Sequence, residues 1–183
     1  MSEELLVRHC SPTILGMKTG NMFSCRFENE KEEKAYIRNL NSRLKEKGLR
    51  VLPLRKHSGG TLIYVYRPSK LKKDLEDSLA HKVLSERGYV CESTNKCIAQ
   101  LVKRLRECES FPHEIGLFLG YPPEDVCGFI ENRAEGCKCV GCWKVYGDAE
   151  KAQQLFDKYK RCTELCCSLA AKGFTVDKLA VSY

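Results

Sequence analysis

The stretch LRVLPLRKHSGGTLIYVYRP, Leu49 to Pro68, constrains the fold more than any other. Two β-rich runs flank His-Ser-Gly-Gly, and the paired glycines permit the positive φ of a tight turn. The reading is an antiparallel hairpin. NMFSCRFE, Asn21 to Glu28, reads as a further strand. Between the two, in NEKEEKAYIRNLNSRLKEKG, Tyr36, Ile37, Leu40 and Leu44 recur at helical spacing and Gly48 supplies the stop.

More helices follow. One opens at Pro68 with Ser69 as N-cap, keeps Leu71, Leu75, Leu79 and Val83 on one face, and stops at Gly88. YVCEST reads as a short strand and TNKCIAQLVKRLREC as an amphipathic helix through Ile98, Leu101, Val102 and Leu105. FPHEIGLFLGYPPEDVCGFIEN reads as two short helices around a Tyr-Pro-Pro joint, and CWKVYG as a strand. A last long helix runs from about Asp148 to Lys172, with Leu155, Phe156, Tyr159, Cys162, Cys166 and Leu169 on one face. The helix exits KEKGLRV, SERGYVC and AAKGFTV share capping physics, and they are not a repeat. The order β-α-β-β-α assigns the chain to the α+β class, as a single domain over 1–183 with an antiparallel or mixed sheet. If CWKVYG supplies the next strand, the core is a ferredoxin-like split βαβ sheet with a helical insertion near 92–134.

At 183 residues the chain can bury a core without staples. No run approaches the roughly 20 apolar residues of a membrane span. The acidic start MSEELLVRHC is not a secretory signal, so the expected compartment is cytoplasmic. There the twelve cysteines are expected as reduced thiols, most of them packing as small apolar side chains. The net charge of +7 is spread over segments that also hold acids, such as RPSKLKKDLED, so nucleic acid is not the expected partner.

Three segments carry candidate chemistry. Cys137, Cys139 and Cys142 form C-x-C-x-x-C around Gly141, and zinc or iron is the cofactor such thiolates would take. Only three ligands are local; a fourth would come from Cys127, Cys108 or a histidine. The competing reading is that Cys142, alternating with Lys144 and Tyr146, faces the core. The second segment, RHCSPTILGMKTGNMFSC, gathers His9, Cys10, Ser11, Thr13, Lys18 and Cys25 around Pro12, Gly16 and Gly20. A glycine-punctuated loop of this kind often addresses a ligand, with Lys18 for an anionic group. His9 beside Cys10 invites a thiolate–imidazole reading. The bland reading is a strap across the sheet, packed by Leu5, Leu6, Ile14 and Leu15. In the third segment His113-Glu114 is not H-E-x-x-H, because Leu117 stands where the second histidine belongs. A helix-turn-helix reading meets Glu124 and Asp125 at the second helix, which phosphate would repel. Pro112, His113, Glu114 and Tyr121 remain as pocket-lining candidates.

FPHEIGLFLGYPPEDVCGFIEN, followed by GCWKVYGD and an A-x-x-x-F-x-x-Y-x-x-C helix, resembles a bacterial family known as domain of unknown function 3793. The opening HCSPTILGMKTGNMFSC is similar to that family's N-terminal motif. The resemblance spans nearly the whole chain and implies a cytosolic protein of anaerobic, clostridia-like bacteria; it implies no activity. Its motifs cover His9, Cys10, Pro12, Thr13, Gly16, Lys18, Phe23, Ser24, His113, Glu114, Tyr121, Trp143, Lys144 and Tyr146. In that pattern Cys139 and Cys142 need not be cysteine, and Cys137 lies outside it.

The expectation that results is a small-ligand or partner-binding module without a complete catalytic constellation. Its pocket is expected between the 9–24 segment and the 112–121 joint, with His9, Cys10, Thr13, Lys18, His113, Glu114 and Tyr121 as contacts. The alternative is a thiol-based redox or metal-dependent protein using Cys10 or Cys25, or Cys137, Cys139 and Cys142. Enzyme and binding readings both stay open.

Overall fold

A computed structural model describes residues 3–107 and 111–182. The class is α+β, with small antiparallel sheets among many helices. The chain divides into two compact units, Met1–Ser69 with Tyr159–Tyr183, and Lys70–Lys158.

In the first unit the N-terminal segment, expected as a loop, is helical. Helix α1 (Glu4–Ile14) buries Leu6, Val7, Cys10 and Ile14, whose spacing marks one helical face. Pro12 sits in its last turn, where the helix is about to end. Gly16 then takes φ 73°, and the Met17 and Lys18 N–H groups donate back to the Pro12 carbonyl at 2.8 and 3.0 Å. Strands β1 (Gly20–Cys25), β2 (Arg50–His57) and β3 (Gly60–Tyr66) form an antiparallel sheet in the order β1-β3-β2. The hairpin pairs His57 with Gly60 around Ser58 and Gly59, and its register shifts between Pro53 and Arg55. Gly60 has φ +129°, and a Cβ there would lie 2.3 Å from the Cys25 carbonyl oxygen of β1. Helix α2 (Glu30–Leu44) is capped by Asn29, which accepts the Glu32 N–H at 2.9 Å. A 3-10 turn, Lys45–Lys47, leads to Gly48 at φ 71°, the predicted stop.

The core of this unit combines α1, the sheet, Leu40 and Leu44 of α2, and Cys166, Val176, Leu179 and Ala180 from the C-terminal segment. Arg67 is wholly buried within it. Its guanidinium donates to the carbonyls of Thr13 (2.8 Å), Ile14 (2.7 Å), Lys47 (2.9 Å) and Val181 (2.9 Å). A cation at the C-terminus of α1 satisfies carbonyls that the helix leaves without partners.

At the start of the second unit the single helix expected from Pro68 to Gly88 is two, α3 (Pro68–Leu75), whose first two residues still belong to the first unit, and α4 (Ser78–Glu86). Asp77 restarts the chain by accepting the Leu79 and Ala80 N–H groups at 2.9 and 3.1 Å. YVCEST forms no strand; Tyr89 is buried and the Val90 N–H donates to the Gln100 side chain. Helix α5 spans Thr94–Glu107, and Cys108 lies outside the described residues. Helices α6 (Ile115–Phe118) and α7 (Pro123–Glu131) flank the Tyr-Pro-Pro joint as expected. In CWKVYG only β5 (Lys144–Val145) is strand, paired with β4 (Cys139–Val140) in a separate ribbon. It does not extend the three-stranded sheet, so the split βαβ core is not completed. Helix α8 (Ala149–Ala171) matches the predicted long helix, and the boundary between units falls inside it; α9 (Val176–Leu179) follows. Among the described residues no helix is long and apolar enough to cross a membrane.

Candidate ligand-binding pocket

Pro123 pre-sets the backbone at the first position of α7 and fixes where that helix departs from the joint. A cavity of about 320 Å³ lies between α6, α7 and the β4-β5 ribbon. Its lining is mostly aromatic and aliphatic. Phe111 and His113 come from before α6, Ile115 and Gly116 from α6, Tyr121 from the joint, Val126 and Phe129 from α7, and Val140, Trp143 and Lys144 from the ribbon.

Asp125 holds this wall together. It is 3% exposed. Its Oδ2 accepts the Trp143 indole N–H at 2.7 Å, and its Oδ1 accepts the backbone N–H groups of Tyr146 and Gly147, both at 2.7 Å. The carboxylate thereby ties α7 to the ribbon and sets the plane of Trp143. That ring stacks on Tyr121 with centroids 4.7 Å apart and stands edge-on to Phe156 at 4.6 Å. Gly128 admits the Tyr146 ring, which would lie 2.4 Å from a Cβ placed there. The Tyr121 hydroxyl donates to the Cys142 carbonyl at 3.2 Å. Burial, with Cys142 adding, pushes the Tyr121 phenol up to about 12, so it stays neutral. His113 meets Phe129 edge-on at 5.0 Å. Lys144 donates from Nζ to the Ala134 carbonyl at 2.7 Å, with its ammonium 5.9 Å from the Phe129 ring centre.

Of the residues singled out in the sequence, His113 and Tyr121 line this cavity and Glu114 does not. Glu114 is 2% exposed, accepts the Tyr89 hydroxyl at 3.1 Å and lies 3.6 Å from Arg104, whose guanidinium sits over the Tyr89 ring. It anchors the start of α6 in the unit's interior. His9, Cys10, Thr13 and Lys18 belong to the other unit, and each has a local role there. His9 is exposed and stacks parallel to Phe23. Thr13 donates to the Asn21 side chain at 2.7 Å. Lys18 is 5% exposed and donates to the Gly20 carbonyl at 2.8 Å. Cys10 and Cys25 are both buried; desolvation is the main cause that pushes their thiols up, away from the reactive thiolate.

Ser24 and His57 form a pair that resembles nucleophile and base, with Oγ and Nε2 3.0 Å apart. The Gly59 N–H donates to His57 Nδ1 at 3.0 Å, so Nδ1 carries no proton. The proton of the neutral ring then sits on Nε2 and points at Ser24, which leaves the ring unable to act as its base.

The thiols of Cys137, Cys139 and Cys142 are partly or fully exposed. Among the described residues no group of three or more His, Cys, Asp or Glu side chains is placed to hold a metal ion. Cys142, read as core-facing, is exposed, and Trp143 and Val145 are the buried positions, so the alternation runs in the opposite phase. Among the lining residues that spacing did not reveal are Phe111, Ile115, Val126, Phe129 and Val140, together with Asp125. Asp125 has the signature of an ordinary helix-start acid, and only the fold brings Val140 to the cavity.

No curated protein and no solved structure matches the chain. The family described as "Protein of unknown function (DUF3793)" matches residues 6–180, and the chain belongs to it.

Proposed function

We propose that this chain is a small-ligand-binding module whose pocket is the cavity between α6, α7 and the β4-β5 ribbon. The observation that carries this is the lining itself: Tyr121, Phe129, Trp143 and His113 face one concave space while Asp125 fixes the wall from behind. The volume of about 320 Å³ lies at the small end of the roughly 300–1,000 Å³ usual for small-molecule sites. A planar apolar group suits such walls, because ring faces and edges give it oriented contacts as well as burial.

Trp143 is the chain's one tryptophan, so its emission reports on this pocket alone. Titration with the neutral probe 3-phenylpropionamide is expected to change that emission saturably, with a matching rise in melting temperature. No saturable change up to millimolar probe, with no thermal shift, would sink the reading.

A further inference from the structure

We infer that the natural ligand is an apolar acid, a planar hydrocarbon body carrying a carboxylate, with Lys144 as its counter-charge. This rests on the pocket reading above and adds the charge of the ligand to it.

Among the described residues the one acid in the cavity's lining is Asp125, and it is committed elsewhere. Three N–H donors of the protein's own chain converge on its two oxygens at 2.7 Å. A cationic ligand would find that carboxylate already engaged. It would also meet Lys144, whose ammonium lies 5.9 Å from the centre of Phe129, a ring of the same wall. Lys144 has three donors and gives one to the Ala134 carbonyl. That bond holds the stem while the remaining donors can turn toward a carboxylate. The Ala134 carbonyl is presented by an unusual turn, in which Arg133 and Ala134 take φ of 49° and 67° after the end of α7. Positive φ at two successive non-glycine residues is uncommon and costs energy. The turn directs a carbonyl at the ammonium and so fixes the position of the charge on the pocket wall.

Among the described residues the rest of the lining is mostly apolar, and Asp125 is engaged by its own donors, so a charge-assisted hydrogen bond to Lys144 is screened less than on open surface. The geometry therefore favours an acid over the neutral amide of the same shape, and disfavours the amine. A preference of about tenfold for acid over amide is the scale one such bond supplies.

The test compares 3-phenylpropionate, 3-phenylpropionamide and 3-phenylpropylamine by Trp143 emission in the full chain. The acid is expected to bind about tenfold tighter than the amide, with the amine weakest and the gap narrowing as salt rises. Lys144→Met should abolish the gap between acid and amide, and Lys144→Arg should keep most of the preference. Equal affinity for acid and amide, or a preference for the amine, overturns the charge assignment and leaves the pocket reading standing. Failure of all three probes overturns the pocket reading itself. Should Lys144→Met lose the amide as well, the wild-type salt dependence decides, and an acid preference that does not narrow at high salt overturns the assignment.

Discussion

Asp125 occupies the first turn of α7, where an acid is usually explained by the helix dipole and by capping. Its three bonds across to the ribbon instead make it the residue on which the pocket wall depends. Asp125→Ala leaves an indole N–H and two backbone N–H groups without their acceptor. The expected loss is about 3 kcal/mol of unfolding free energy, since each orphaned buried donor costs roughly 1–3 kcal/mol and relaxation recovers part. Denaturant unfolding followed by Trp143 emission measures it. Asp125→Asn, which keeps one accepting oxygen, should lose less. An alanine variant within about 0.5 kcal/mol of wild type, the usual range for surface changes, would show that the wall holds without this carboxylate. The contrast with the cysteines is instructive. Cys137, Cys139 and Cys142 stand out in sequence because thiols in close spacing are rare, whereas Asp125 looks like any helix-start acid. What separates them is burial, which no local pattern encodes.

At the scale of elements, legibility followed periodicity. Helices α2, α5 and α8 were readable because their apolar residues recur at helical spacing over several turns. The β2-β3 hairpin was readable because its glycines and β-rich flanks agree. Helix α1 was not, since Pro12 and the polar run His9 to Thr13 imitate a loop while the apolar face continues beneath them. Strand β5 is shorter than CWKVYG suggests, because a buried alternation of two residues suffices in a ribbon braced by Asp125. Gly60 ties sequence to sheet most tightly. A side chain there would strike the Cys25 carbonyl of β1 and would also force a residue with a Cβ to hold φ +129°. Gly60→Ala is expected to cost about 2 kcal/mol or more, read as a lower denaturation midpoint with an unchanged slope. A cost below about 0.5 kcal/mol would mean that β1 and the turn part easily.

At the scale of the whole chain, each unit is assembled from its own contacts, and the first needs residues from both ends of the sequence. Arg43 of α2 bridges Glu3 and Asp177, the Glu3 carboxylate accepts the Val176 N–H at 2.9 Å, and Arg67 reaches the Val181 carbonyl. The hydrogen bond from Arg43 is the main cause that holds the Asp177 carboxyl below its ordinary value. A depressed folded-state pKa stabilises the protein above the ordinary carboxylate range, and that stability is lost as pH falls through the depressed value. Asp177→Asn should therefore lower stability at neutral pH by less than about 1 kcal/mol, the pair being partly exposed. The gap between variant and wild type should close in acid; melting curves across pH check this, and a gap that persists in acid would assign the effect to something other than charge. By itself the sequence determined the class, the hairpin, the long helices and the family motifs, because these rest on spacing between near neighbours. Only the tertiary structure decided that β5 pairs with β4 alone and not as a fourth strand of the three-stranded sheet, that Lys18 and Cys10 are interior groups, and that Tyr121, Phe129, Trp143 and Lys144 share one cavity. The physical reason is that burial and hydrogen-bond partnership across 20 or more residues, as between Asp125 and Tyr146, depend on how elements pack and leave no periodic trace in the chain.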